Sequence, residues 1–348
     1  MRPRALLITP SFFGYEKDIV AEFERQGFDV TLIDERPSNS SLVRAAIRWS
    51  RQSLKYLIDR YYLEQHRRIE GLAFDTVVVV KGEAVPRWFL EALRSQTSQA
   101  RWIYYTFDSI ANNPNSVEIL DLFDVRFSFD PNDVAQRADL TYLPLFYTSD
   151  FETGGVRQPS SRPATRRPRW DVCFVGTLHS DRYPIVSAAC PEGADAFVHL
   201  FVQARWYFAV TKYVTREHTN VSWSQVSTTS LPRDVIAARF RESHAVLDIP
   251  RTDQAGLTMR TFETLATGAI LVTTNQFIRH EPFYDPSRVV LIERDADGID
   301  GAKLQEQLAA LTRPVGPPAN FDDYSLANWV SRLTSDTVVE RFDRRLVS

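Results

Sequence analysis

Residues 247–270, LDIPRTDQAGLTMRTFETLATGAI, hold the side chains best suited to an anionic, hydroxyl-rich ligand. An apolar run feeds a polar loop with Gly256, Leu257 and Thr258, and a predicted helix then holds Arg260 and Glu263 in its first turns. Backbone N–H groups near Gly256–Thr258 stand at that helix N-terminus, where unpaired donors and the helix dipole favour a phosphate. Arg260 and Glu263 are three residues apart and share a helix face. A carboxylate there can accept both hydroxyls of a ribose, whereas the plain alternative is an exposed helical ion pair worth roughly a few tenths of a kcal/mol. Two further carboxylates follow predicted strands in the first half, Glu83 after TVVVV and Asp108 after IYYTF. A carboxylate at a strand end is the residue type that takes a proton from a reacting hydroxyl. The structural alternatives are a helix N-cap for Asp108 and an ion pair with Lys81 for Glu83; Lys81 is also able to neutralise an anionic ligand.

The elements that must position these groups alternate in type. Ala5–Thr9, Asp29–Ile33, Thr76–Val80, Trp102–Thr106 and Val125–Ser128 are predicted strands. Helices are predicted around Glu16–Gln26, from Leu42 to about Leu72, and over Trp88–Arg94 and Val117–Leu122. Continuous β-branched runs such as the four valines of residues 77–80 suit strands covered on both faces. After residues 152–169, rich in Pro, Gly, Ser and Arg, the alternation restarts: strands at Asp171–Val175, His199–Val202, Ala245–Ile249, Ile270–Thr273 and Val289–Ile292, helices at Thr261–Ala266 and Lys303–Leu311. This grammar predicts two α/β domains with doubly wound parallel sheets. The expected division is 1–150, a linker over 151–169, a second domain over 170–323, and a helical segment over 324–348. That last segment is expected to return to the first domain, because the loop at Arg313–Pro318 is long enough for it.

Composition narrows the function classes. The chain has 348 residues, 44% hydrophobic and 24% charged, with a formal net charge of -3 and a pI near 6.1. That size favours two cores, and the charge gives no nucleic-acid signature. The N-terminal apolar stretch Ala5–Ile8 is too short for a signal peptide, and nothing approaches the ~18 apolar residues of a membrane span. Two cysteines, Cys173 and Cys190, make no disulfide framework, so a reducing, cytoplasmic setting is expected. The six histidines show no metal-ligand spacing, and Asp295-Ala-Asp297 lies in a charged turn, so no metal site is expected.

The run Arg260-Thr-Phe-Glu263-Thr-Leu-Ala-Thr-Gly268-Ala resembles the R-x-F-E-x-x-A-x-G-A signature of GT-B glycosyltransferases of the group 1 type. DVCFVGTLHSDRY resembles the strand–Gly–Thr entry to that family's donor domain. VVVVKGEAVP, WIYYTFDS, FSFDPND and YLPLFY are similar to proteins common in lipopolysaccharide and capsule gene clusters. The resemblance spans roughly residues 75 to 330. It implies two facing Rossmann-like domains and a nucleotide-sugar donor, with Glu263 on the ribose and neighbouring backbone on the diphosphate. The loop of Gly176, Thr177, His179 and Arg182 would then face the diphosphate, with Lys212 a further phosphate candidate. The acceptor would be a glycan or lipid-linked glycan on the first domain, with Asp108 or Glu83 as base and Tyr104, Tyr105 and Phe107 as a sugar platform. A GT-B scaffold can stabilise the leaving diphosphate without a metal or other cofactor.

One departure stands out. Many retaining members carry a second Glu eight positions before the ribose-binding one; here that position is Ala255, with Asp253 out of register. Retention of donor stereochemistry is therefore not carried over. Residues 42–72 hold seven Arg or Lys against three acidic residues, interleaved with Trp49, Tyr56, Tyr61 and Tyr62. The plain reading is a long surface helix; a basic, aromatic helix also suits peripheral contact with the inner face of the cytoplasmic membrane. The rival functions are a sugar-nucleotide epimerase on the same scaffold and a non-catalytic sugar- or nucleotide-binding protein.

Overall fold

The computed structural model describes residues 2–38, 51–152, 168–179, 182–191, 193–252, 254–294 and 299–336. They divide into two compact units, one of Met1–Pro144 with Leu326–Ser348 and the other of Leu145–Ser325.

The first unit is built on a six-stranded parallel sheet. Its strands are β1 (Arg4–Thr9), β2 (Asp29–Asp34), β3 (Thr76–Val80), β4 (Arg101–Tyr105), β5 (Val125–Ser128) and β6 (Thr141–Tyr142), in the order β2-β1-β3-β4-β5-β6. All five residues of β3 are buried, as expected of a central strand with helices on both faces. Helices Tyr15–Arg25, Lys55–Ile69 and Arg87–Gln96 connect the strands. The helix predicted over residues 42–72 is described only as a 3-10 turn at Arg51–Leu54 and the helix Lys55–Ile69; residues 39–50 lie outside the described residues. Val117–Leu122, predicted as α-helix, falls in a 3-10 segment over Pro114–Leu122.

The second unit repeats the plan with β7 (Trp170–Thr177), β8 (Ala196–Phe201), β9 (Val226–Ser227), β10 (Ser243–Asp248), β11 (Ile270–Thr273) and β12 (Val289–Leu291). Their order is β12-β11-β10-β7-β8-β9, all parallel. β8 begins three residues before the predicted His199 because it pairs along β7 from Val172↔Ala196 to Thr177↔Phe201. Its first residues, Ala196, Phe197 and Val198, are apolar yet half-buried or exposed.

The C-terminal helix Leu326–Thr334 belongs to the first unit. Trp329 packs edge-on against Tyr105 with ring centroids 4.9 Å apart, and the Ala327 carbonyl accepts from Gln26 Nε2 at 2.8 Å. Residues beyond 336 lie outside the described residues. Leu145–Glu152 sit with the second unit, not the first as a boundary at 150 expects. The reason is contact: Asp150 pairs with Arg233 at 2.8 Å, and Phe151 packs on Phe240. Tyr324, placed in the terminal segment by the sequence, belongs to the second unit, stacked on Phe262. Of the expected linker, residues 153–167 lie outside the described residues.

Candidate active site

In an open parallel sheet the ligand crevice forms beyond the strand carboxyl ends, where successive connections diverge. In the second unit that point lies between β7 and β10. Asp248, the buried last residue of β10, fixes the loop that follows. The Thr258 hydroxyl donates to its carboxylate, 2.9 Å from each oxygen, and the Thr261 hydroxyl donates to Oδ2 at 2.7 Å. Thr258 Oγ1 in turn accepts the Arg260 N–H at 3.1 Å, capping the helix Met259–Ala266. Asn275 Nδ2 donates to the carbonyls of Ala255 and Gly256, at 2.9 and 3.3 Å, and Leu257 is buried beside them.

Four guanidinium groups converge on this strand end. Arg182 Nε donates to the Ile249 carbonyl at 2.7 Å and Nη1 to that of Thr177 at 2.9 Å, tying the loops after β7 and β10 together. Arg294 Nη2 donates to the Pro250 carbonyl and to Thr274 Oγ1. Arg260 approaches Gly176 so closely that a Cβ there would lie 3.2 Å from Nη1 and 2.8 Å from the Phe174 ring. Its buried Nε has no hydrogen-bond partner among the described residues. Burial first, then Arg260, Arg251 and Arg294, lower the Arg182 pKa to about 10, with Asp248 opposing them. Burial and then Arg182, Arg251, His218 and Arg294 bring His179 down to about 3, so its imidazole is neutral at physiological pH. Among the described residues Arg182, Arg251 and Arg260 make no ion pair within 4 Å. A positively charged strand end beside a capped helix N-terminus is a site for a polyanion.

Glu263 lies on the same helix and is 3% exposed, so it is no surface ion pair. Lys212 is placed otherwise. Its ammonium donates to the carbonyls of Thr219 and Val221 at 2.7 and 2.6 Å, closing the loop after its own helix, Arg205–Tyr213.

The first unit gathers a different set at the carboxyl ends of β2, β3 and β4. Glu83 Oε2 lies 3.3 Å from Arg36 Nη2 and 3.2 Å from Lys81 Nζ, and Lys81 Nζ also reaches Asp108 Oδ2 at 3.5 Å. The Glu83 N–H donates to Glu35 Oε2 at 3.1 Å. Burial, reinforced by Glu83 and opposed by Arg36 and Lys81, raises the Glu35 carboxyl to about 7. Lys81 (φ 73) and Gly82 (φ 66) are both left-handed, and a Cβ at Gly82 would meet Ile119 at 2.8 Å. The Lys81 carbonyl accepts from Tyr104 Oη at 2.7 Å and from Asn113 Nδ2 at 2.8 Å. These contacts hold a backbone that a non-glycine residue seldom adopts. The Lys81 pairing of Glu83 foreseen from sequence is thus present. No helix starts at Asp108, whose side chain is 27% exposed against 6% for Glu83. Tyr104 and Tyr105 are fully buried with their hydroxyls engaged by the Lys81 and Leu143 carbonyls, so they form no open platform. Phe107 instead meets the exposed Phe12 with ring centroids 6.1 Å apart, and Phe12 meets the exposed Phe13 at 4.6 Å.

Residues 162–314 match the protein family described as glycosyl transferase-like. Solved structures share the whole architecture at low identity. Sucrose-phosphate synthase from Thermosynechococcus elongatus is 13% identical, with 95% of this chain and 94% of that one covered at a TM-score of 0.58. A glycosyltransferase from Rickettsia africae ESF-5 is 12% identical, with 95% and 93% covered at 0.55. A UDP-N-acetylglucosamine 2-epimerase is 12% identical, with 95% and 94% covered at 0.52. The chain has the GT-B fold. No curated protein sequence matches it.

In this GT-B fold, sequence reasoning passed over Asp248, Arg251 and Arg294 in one unit and Glu35 and Arg36 in the other. Each ends or follows a strand, in LDIPR, LIER and LIDER, so the strand-end rule already used for Glu83 and Asp108 was signal enough. Among the described residues no group of three His, Cys, Asp or Glu is placed to hold a metal ion. Asp253 and the Asp295–Asp297 pair lie outside the described residues.

Proposed function

We propose that the second unit holds a nucleotide-sugar donor and that a carboxylate of the first unit deprotonates the acceptor hydroxyl. The observation that carries this reading is the convergence of Arg182, Arg251, Arg260 and Arg294 at the switch point between β7 and β10, beside the Thr258-capped helix. The donor diphosphate fits that charge, and Gly176, Thr177, His179, Gly256, Leu257 and Thr258 supply the neighbouring loops. His179, held neutral, adds a polar group without adding charge. Glu263, on the same helix, accepts the ribose hydroxyls. Lys212 has no part in this reading, because its ammonium is engaged by backbone carbonyls.

In the reaction the acceptor oxygen bonds to the anomeric carbon as the bond from that carbon to the diphosphate oxygen breaks. The electron pair stays on the diphosphate, whose charge the arginines offset, and the acceptor proton passes to Asp108. Asp108 suits that task better than Glu83, which is buried between Arg36 and Lys81. Ala255 at the position of the second glutamate of many retaining members supports direct displacement with inversion. Protein cations carry the leaving-group charge here, so no metal or other cofactor is part of the reading. The acceptor we propose is a glycan or lipid-linked glycan of a bacterial surface polysaccharide, such as lipopolysaccharide or capsule, met at the cytoplasmic face of the membrane. That assignment rests on the resemblance of residues 75 to 330 to proteins of such clusters. The basic, aromatic stretch 42–72 supports peripheral contact, though residues 42–50 of it lie outside the described residues.

A panel of UDP-, GDP-, TDP- and CMP-sugars tests the donor by thermal shift, because binding the native state raises its stability. Calorimetry with the best nucleotide should then show Glu263→Ala binding several-fold more weakly with the fold intact; unchanged affinity would remove Glu263 from the site. An isomerised nucleotide sugar formed without an acceptor would favour the epimerase reading over transfer.

A further inference from the structure

The helix Arg205–Tyr213 in the second unit leaves one face uncovered. Phe208 and Thr211 are buried beneath it, while Trp206, Tyr207, Val210, Tyr213 and the following Val214 are 39–73% exposed. At 3.6 residues per turn these five fall within an arc of about 120°, a single stripe facing away from the core. They are five of the fourteen exposed large apolar side chains among the described residues, so the exposure is concentrated, not scattered. Charge has the same bias. From Ala204 to Arg216 there are three cations, Arg205, Lys212 and Arg216, and no acidic residue, in a chain whose net charge is -3. Arg205 and Arg216 are both exposed and stand before and after the stripe in sequence, Arg205 with its guanidinium 5.1 Å from the Trp223 ring centroid and Arg216 beside the exposed Glu217.

We propose that this face is a docking surface for an anionic phospholipid bilayer. Trp and Tyr rings seat at the boundary of headgroups and acyl chains, where one end of each ring is wet and the other apolar. Val210 and Val214 enter the apolar layer, and Arg205 and Arg216 pair with lipid phosphates. Such a surface attracts basic segments at about 1 kcal/mol per Lys or Arg, which a net-acidic protein needs locally because its overall charge is repelled. No described helix is long and apolar enough to cross a membrane, so the contact lies in the interface plane. The inference is independent of the donor reading, since none of these residues belongs to the arginine crevice.

The test is sedimentation of the full chain with vesicles of phosphatidylglycerol and phosphatidylcholine, against phosphatidylcholine alone. The expected result is binding to the anionic vesicles only, weakened by salt. Trp206→Ser with Tyr207→Ser, and separately Arg205→Glu with Arg216→Glu, should each reduce that binding at least tenfold. Melting temperature and nucleotide affinity should stay unchanged, which excludes unfolding as the cause. Failure of the native chain to bind, or equal binding by both double variants, overturns the proposal. So does light scattering that shows a dimer abolished by Trp206→Ser with Tyr207→Ser, because the face would then meet a second copy.

Discussion

At the carboxyl end of the second unit's sheet four arginines gather with Asp248 as the acid that opposes them, whereas the first unit's turn buries Glu35 and Glu83 beside Arg36 and Lys81. Both sites occupy the position that a doubly wound sheet offers to ligands, and both anchor it with a buried acid just past or at a strand end. The first unit balances its charge internally and leaves one carboxylate, Asp108, at the rim. In the second, Arg182, Arg251 and Arg260 make no ion pair among the described residues, and that charge is there for a ligand to meet. One architecture therefore serves two tasks, and the task is set by the few residues after each strand rather than by the strands. A polyanion gains most from the second arrangement, and a proton transfer gains most from a carboxylate that is positioned but not locked.

The largest effect should separate Asp108 from Glu83. Asp108→Asn keeps size and removes basicity, so the transfer rate should fall about 10²-fold or more while nucleotide affinity and melting temperature hold. Glu83→Gln leaves Arg36 and Lys81 buried without their shared carboxylate. Breaking such a pair costs roughly 3–5 kcal/mol, so its main signature should be lost stability in denaturant melts. If Asp108→Asn transfers at the native rate and Glu83→Gln is as stable as the native chain, the assignment of roles within the first unit is wrong.

A smaller effect is expected from Arg260→Ala in the second unit. Its guanidinium lies against Gly176 with a buried Nε that has no partner among the described residues, so truncation should cost little stability. Losing one charge-assisted contact to the diphosphate costs about 1.5–3 kcal/mol, or roughly 10- to 100-fold in affinity. Isothermal calorimetry with UDP at low and high salt measures it, and the native chain should lose affinity with salt more steeply than the variant. Arg182→Ala is a poorer probe, because Arg182 also holds the carbonyls of Thr177 and Ile249. Equal UDP affinity in Arg260→Ala and the native chain would contradict the contrast between the two units.

Much of this was legible in the sequence. The valines of β3, the apolar runs of β1, β10 and β11, and the helix holding Arg260 and Glu263 were readable because burial on both faces and helix periodicity leave direct marks. β6 and β9 left none: each is two residues long and is a strand only through its neighbour's hydrogen bonds. The buried state of Tyr104 and Tyr105 was also hidden, since an aromatic at the end of a strand reads the same whether it lines a surface or caps a carbonyl. Lys212 shows the same limit from the other side. Its partners are carbonyls seven and nine residues on, and a carbonyl has no residue type to read.

The smallest expected effect concerns Glu35, and it tests whether the first unit is balanced as described. Burial lifts this carboxyl from 4.5 to about 7 in the folded chain. Between those values the unfolded chain has released the proton and the folded chain still holds it, so stability must fall as pH rises through the window. Most of that fall is over below pH 6. From pH 6 to pH 8 the remaining loss is about 1 kcal/mol, after which this group contributes no further slope. Glu35→Gln keeps an oxygen able to accept the Glu83 N–H and has no proton to lose, so this part of the pH dependence should vanish in the variant. Denaturant melts of both proteins at pH 6 and pH 8 measure the difference. If the native chain and Glu35→Gln lose the same stability across that interval, Glu35 is already ionised at pH 6. The first unit's turn would then hold three charged carboxylates against two cations and be an acidic site instead of a balanced one.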